Sequence, residues 1–447
     1  MPSEPRLIVD LTIDSIAAGG DGVGRAEGLV VFVPRAAPGD AGSVRITPSR
    51  RFARGAWESL RTPSPARVAP ACLHYIADRC GGCQLQHLAY DAQLDAKAGI
   101  IADAIERIGR RPRPAVSVRP SAREWRYRRK LTLALRRTEA GRWIAGLHPY
   151  DAPGRVFDLR DCPITDERVL NVWAQIRRAG DLLPRTRVVR AAVRLLSGDA
   201  SAMASLVVEG GDRWTTHDRF FAAVPSLATL WWQPEGDGRR RLHVRGTPRH
   251  DEELVDPADE TSVDGVPGEE VDENLPSATD ASASFVQVNE ETAADLHVHV
   301  VERTLAHSPQ AVVDAYAGRG DTAVAMAYHG VRATAIELDR ASAAVAAARL
   351  TPPSEVVQGR VEEVLQRVLP ADVVVLNPPR AGLHERVTET LDGAAPDLRA
   401  IVYVSCNPAT LARDLGRLGA YRIASIVAFD MFPQTAHVET VCELVPA

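Results

Sequence analysis

The chain has 447 residues, too many for one hydrophobic core, so several domains are expected. Its apolar and charged fractions are those of an ordinary globular protein, which excludes fibrous and wholly disordered classes. No apolar run approaches membrane-spanning length and the N-terminus has no apolar signal core, so the expectation is a cytoplasmic protein with no membrane partner. The net charge of −5 conceals an asymmetry: Asp251 to Asp280 holds twelve Asp/Glu and no Lys/Arg, so the rest of the chain is basic.

Residues 5–65 read as short β-strands. "RLIVDLTIDSI" and "GLVVFVPRA" flank the glycine-rich turn "AAGGDGVGRAEG". Short strands that close on themselves predict a small OB-like β-barrel, a fold often used to bind nucleic acid. Residues 66–245 form a central region. Within it, Leu94, Ile100, Ile101, Ile105 and Ile108 have helical spacing over 91–110, and that helix is expected to pack on the C-terminal domain. "REWRYRRKLTLALRR" interleaves Arg with Trp125 and Tyr127, a composition that suits RNA because guanidinium pairs with phosphate while a ring stacks on a base. Residues 246–283 are acidic and poor in large apolar side chains, and read as a flexible insertion. From 284 to 447 strands and Ala-rich helices alternate, which predicts a doubly wound α/β domain.

Four strand ends in that domain carry chemistry. "VVDAYAGRGDTAVAMA" runs strand, glycine turn, helix, and Gly318 and Gly320 allow a ligand close to the backbone. The next strand ends at Glu337, well placed for ribose hydroxyls. No Gly-x-x-x-x-Gly-Lys is present, which disfavours NTP hydrolysis and leaves a dinucleotide or S-adenosylmethionine as the ligand. "VVVLNPPR" ends a further strand at Asn377, and Asn-Pro-Pro there favours methyl transfer. Finally, "IVYVSCNPATLARDL" places Cys406 where an apolar run turns polar, an unusual position for a core thiol and a suitable one for a nucleophile. Upstream, "CLHYIADRCGGCQLQH" and "RDCPI" supply Cys72, Cys80, Cys83 and Cys162, a set able to hold zinc or a four-iron cluster.

The pieces "FVQVN", "DAYAGRGD", "LNPPRAGL", "VSCNPATLARDL" and "HVETVCEL" occur in one order, and with them the chain resembles the S-adenosylmethionine-dependent RNA (uracil-5-)-methyltransferases that carry a TRAM domain and an iron–sulfur cluster. The resemblance covers nearly the whole chain apart from the acidic insertion. It implies a Rossmann-like methyltransferase domain, an N-terminal TRAM barrel and a central α+β domain. It further implies that Gln287, Tyr316, Asp321 and Glu337 line the cofactor pocket with Gly318, Gly320 and Asn377, that Cys406 is the nucleophile and that Glu439 is the base. A [4Fe–4S] cluster is implied on the four upstream cysteines, with zinc the lesser reading, and a monomer acting on ribosomal or transfer RNA. Three departures stand out: Asn377 replaces the usual Asp, Arg360 stands where a small polar or acidic residue is usual, and seven residues between Cys72 and Cys80 make a wider loop. Methylation of another RNA base position and a catalytically impaired RNA-binding homologue are the alternatives. Arg380 after the prolines, in place of an aromatic residue, argues against the first.

Overall fold

The computed structural model describes residues 7–196, 203–245, 288–395 and 397–447. Gln287 and the acidic stretch 246–283 lie outside the described residues. Two compact units emerge: one is Met1–Ala69, Gln84–Ala122 and Glu291–Ala447, the other Pro70–Cys83 and Arg123–Glu290.

The first unit opens with β1 (Leu7–Ile16), β2 (Gly22–Ala26), β3 (Leu29–Val33), β4 (Ala41–Pro48) and β5 (Phe52–Thr62). They close into a barrel of order β1-β2-β3-β5-β4, with β1 paired back onto β4. Strict alternation in β1 makes the barrel possible: Val9, Leu11 and Ile13 point inward while Asp10, Thr12 and Asp14 face out. Val31, Val33, Val44 and Ile46 complete the interior.

Next come α1 (Leu73–Ala77), which belongs to the second unit, and α2 (Tyr90–Arg107). On α2, Ile100, Ile101 and Ile105 are buried and Leu94 is half-buried, while Ile108 lies past the helix end and is exposed. Ile101 and Ile105 are buried in one core with Leu411, Ala412 and Leu415. After α2 the chain adds β6 (Ser117–Arg119) to the edge of the C-terminal sheet, so Gln84–Ala122 forms part of the first unit.

The second unit is built on β7 (Lys130–Arg137), β8 (Trp143–Gly146), α3 (Glu167–Arg178), β9 (Val188–Leu195), β10 (Ala204–Glu209), α4 (His217–Ala223), β11 (Leu227–Gln233) and β12 (Arg240–Val244). Its six-stranded sheet has the order β12-β11-β10-β9-β7-β8. Leu131, Leu133, Trp173, Ile176, Val193, Leu206, Phe220 and Trp232 form its core.

The C-terminal part begins with α5 (Glu290–Leu305) and continues β13 (Ala311–Ala315), α6 (Asp321–Tyr328), β14 (Arg332–Glu337), α7 (Arg340–Arg349), β15 (Glu355–Gln358), α8 (Val361–Val368), β16 (Val373–Leu376), α9 (Glu385–Gly393), β17 (Ala400–Ser405), α10 (Pro408–Arg417), β18 (Tyr421–Phe429) and β19 (Glu439–Pro446). The sheet order is β15-β14-β13-β16-β17-β19-β18-β6. Strands β15 to β17 are parallel, and β19 lies antiparallel between β17 and β18. β16 and β17 are buried on both faces, as continuous Val/Ile runs require of central parallel strands. Strand order reverses between β13 and β16, so the crevice for a ligand opens at their C-terminal ends. No helix among the described residues is long and apolar enough to cross a membrane.

A buried charge ties α2 to the end of the sheet. Lys97 is wholly buried, and its ammonium donates to Asp430 and, at 3.1 Å, to the Phe432 carbonyl. Burial depresses its pKa, and the Asp430 charge opposes that. Gln93 and Gln434 add a reciprocal pair of hydrogen bonds at 3.0 and 2.9 Å. Together they fasten residues 430–438, the segment that delivers Glu439 to β19. Removing one partner strands a buried charge. Lys97→Met is therefore expected to cost about 3–5 kcal/mol in urea unfolding, and the double change Lys97→Met with Asp430→Leu to recover most of it.

Candidate active site

The glycine turn follows β13. Tyr316, Gly318 and Gly320 all have positive φ, at 62°, 55° and 77°. At Gly320 a Cβ would lie 2.9 Å from the Ala346 Cβ of α7, so only glycine fits between turn and helix. Gly318 has nothing within 4 Å of its Cβ position, which leaves the backbone open to a ligand. The Glu337 carboxylate is drawn to this turn: Gly318 N–H donates to Oε2 and Asp339 N–H to Oε1, both at 2.7 Å. Asn377 N–H donates to the Ala315 carbonyl at 3.3 Å, which sets the Asn-Pro-Pro segment beside the turn. Asp321 stands in the first turn of α6, exposed and paired with Arg349 at 2.6 Å. Arg360 caps α8 with its side chain near Glu362 at 3.6 Å.

Asp314, one residue before the end of β13, carries no signal in the sequence beyond its place in "VVDAYAG". It is buried and accepts from the Ala323 N–H at 3.0 Å. Burial pushes its pKa up to about 7, and the charges of Asp321 and Glu337 add to the rise.

Cys406 is the first residue past β17 and Glu439 the first of β19. Ser405 pairs with Thr440 across the two strands, so continuing the antiparallel register by one step sets Cys406 beside Glu439. Asn407 explains why the strand ends there. Its side-chain oxygen caps α10 by accepting from Ala409 N–H at 3.0 Å, and Pro408 occupies the first helical turn. Burial drives the Cys406 thiol up to about 11, and the Glu439 charge contributes. Burial likewise lifts Glu439 to about 8. Arg380 opposes both shifts, and also hydrogen-bonds the cysteine.

The Arg380 segment is held by the helix that follows Cys406. Asp414 of α10 is fully buried and accepts from Leu383 N–H at 2.8 Å, Tyr403 Oη–H at 2.8 Å and Arg413 Nε at 2.9 Å. Arg413 Nη2 also donates to the Ala381 carbonyl at 2.8 Å. Gly382 sits between them with φ 77°, and a Cβ there would come 2.5 Å from Asp414 Oδ2. Sequence reasoning did not find this clamp. Its trace is a charge at position 414 within the apolar spacing Leu411, Leu415, Leu418.

The four upstream cysteines all fall in the second unit. None of the chain's six is in a disulfide. Cys72, Cys83 and Cys162 pack with Tyr75, Tyr127 and Ile164, while Cys80 packs in the neighbouring core that Cys162 also touches. Gly82 N–H donates to Cys80 Sγ at 3.4 Å. Among the described residues no three of these sulfurs come within 4.8 Å of one another.

A parallel sheet of this order, with a glycine turn at the switch point and a terminal antiparallel strand, is the fold of the S-adenosylmethionine-dependent methyltransferases. Residues 358–445 match the tRNA (uracil-5-)-methyltransferase family model. The chain is 33% identical to an RNA methyltransferase of Thermosynechococcus vestitus, over 98% of its own length and 97% of the relative's. It is 32% identical to one of Nostoc sp., over 98% and 96%. Its fold superposes on the Pyrococcus abyssi tRNA (uracil-54, C5)-methyltransferase, solved with S-adenosyl-L-homocysteine, with TM-score 0.68, 24% identity and coverage of 97% and 99%. The chain belongs to the RNA (uracil-5-)-methyltransferase family.

Proposed function

We propose that Cys406 and Glu439 are the nucleophile and the base of a uridine C5 methylation in structured RNA. The observation that carries this is the β17–β19 register, which seats a thiol and a carboxyl side by side at the mouth of the crevice with Arg380 acting on both. S-adenosylmethionine, when bound, supplies an electrophilic methyl group. We assign its cradle to Tyr316, Gly318, Gly320, Asp321, Glu337, Asn377 and Gln287, with Glu337 facing the ribose hydroxyls.

Uracil C5 is a poor nucleophile. Addition of the Cys406 sulfur to C6 forms a C–S bond and leaves an enolate, whose electron pair lets C5 take the methyl group. Glu439 then removes the C5 proton, the double bond reforms, and the thiolate leaves. A thiol serves because it adds readily and departs readily. Its position just ahead of α10 places the developing thiolate at the positive end of a helix. Arg380 favours the charged form of both groups and so opposes part of the effect of their burial.

The barrel at 5–65 is read as a TRAM module that grips RNA, with the central region 66–245 adding an Arg-rich surface; both suit transfer or ribosomal RNA. The methyltransferase domain is 284–447, and the acidic insertion 246–283 precedes it. We take the protein to be a cytoplasmic monomer. The four upstream cysteines fit a [4Fe–4S] cluster as a donor set. A zinc ion with Zn–S bonds of about 2.3 Å would need its sulfurs about 3.8 Å apart. The resemblance favours a four-iron cluster over zinc, and four thiolates are the donor set that either group would use. Such a cluster would brace Cys162 against the segment from Cys72 to Cys83.

Cys406→Ala should abolish both turnover and covalent capture of RNA containing 5-fluorouridine. Glu439→Gln should stop product release but leave a protein–RNA adduct on denaturing gels; methylated product without adduct overturns the base assignment. Because the base works ionised in the step after methyl transfer, kcat for product release should fall about tenfold per pH unit below about 8. Arg380→Ala should move that limb to higher pH. Metal analysis should find about four iron per chain in a brown protein, and one zinc instead would refute the cluster.

A further inference from the structure

One group of side chains in the second unit has no part in this chemistry. His217 opens α4, Asp218 follows it, and His243 lies on β12, the edge strand of that sheet. His217 Nδ1 is 2.8 Å from His243 Nε2. Asp218 Oδ1 is 3.6 Å from the first nitrogen and 3.5 Å from the second. Three donor atoms from two elements far apart in sequence thus form a compact triangle.

The shape of the triangle is informative. A tetrahedral zinc with bonds of about 2.0–2.1 Å has ligand-to-ligand edges of about 3.3 Å. The observed edges of 2.8, 3.6 and 3.5 Å bracket that value. A point about 0.7 Å above the plane of the three atoms lies about 2.05 Å from each, and a tetrahedral ion stands at about that height above one face of its ligand set. Asp218 stands in the first turn of α4, where a carboxylate suits the helix dipole, and that placement also brings it to the two imidazoles. Its oxygen is too far from either nitrogen for a hydrogen bond, while the two imidazoles satisfy each other.

The surroundings hold the rings in place. Phe221 stacks on His243 with centroids 4.8 Å apart at 13°, and Trp214 meets His217 edge-on at 6.4 Å. Arg245, the nearby cation over Phe221, is engaged with the Phe221 and Leu227 carbonyls. The Asp218 side chain is 75% exposed, so the fourth position opens to water.

We propose that His217, Asp218 and His243 bind one divalent cation of the zinc class, with water as the fourth ligand, and that the ion staples α4 to β12. Two imidazoles favour zinc, cobalt or nickel over magnesium or calcium, and zinc accepts a carboxylate beside them. The site lies in a unit and on elements separate from the glycine turn and Cys406.

The test is calorimetric titration of Zn2+ into the chelator-washed full-length protein, with thermal unfolding alongside. Wild type should bind one more equivalent than His217→Gln with His243→Gln, and Zn2+ should raise the Tm of wild type by more than that of the double variant. The cysteines contribute equally to both proteins, so the difference isolates this site. Methylation of RNA by the double variant should be unchanged, which shows that it is folded. Asp218→Asn, at an exposed position, should bind that equivalent at least tenfold more weakly and decides the matter if the double variant does not fold. Equal stoichiometry in wild type and double variant, or unchanged affinity in Asp218→Asn, overturns the proposal.

Discussion

The antiparallel insertion of β19 between β17 and β18 is the constraint on which the site depends. In a wholly parallel sheet, the residue that begins a strand lies at the opposite edge from the residue that ends its neighbour. Reversing β19 brings its first residue, Glu439, to the edge where β17 ends at Ser405 and Cys406 follows. The hydrogen-bond ladder fixes this pairing along the full length of two buried strands. A slip by one residue would take Glu439 out of line with Cys406 and turn one strand's side chains to the opposite face of the sheet.

Around that pairing the protein buries charge in quantity, and each case holds a segment that the sheet alone does not. Asp414 grips the Arg380 segment from α10, so the helix launched by Cys406 also positions the cation that acts on Cys406. Lys97 and Asp430 lock the segment leading into Glu439. Such groups contribute little net stability over apolar replacements of the same shape, but they are costly to break singly. Their consequence here is positional: the thiol, the carboxyl and the guanidinium are each fixed through a different element.

The price of that burial is a pair of acids reluctant to ionise. Both Cys406 and Glu439 are raised well above their usual ranges. Arg380 and the N-terminus of α10 are the features that favour the charged forms. In the proposed reaction this burial would hold the thiol neutral, and a neutral sulfur is a weak nucleophile.

Element types were legible from local pattern. Period-two alternation marked the barrel, apolar runs marked the central strands, and Asn407-Pro408 marked the start of α10, because these signals are set by neighbours within a few residues. The glycine turn, Glu337, Asn377 and Cys406 could be placed at strand ends for the same reason: strand ends carry their own turn chemistry. Sheet order and register were not legible. They decide that Arg380 acts on Cys406, that Asp414 faces inward, that Gln84–Ala122 joins the C-terminal sheet, and that His217 meets His243. Those neighbours are chosen by burial of apolar faces between distant segments, a property of the folded chain that no short stretch of sequence contains.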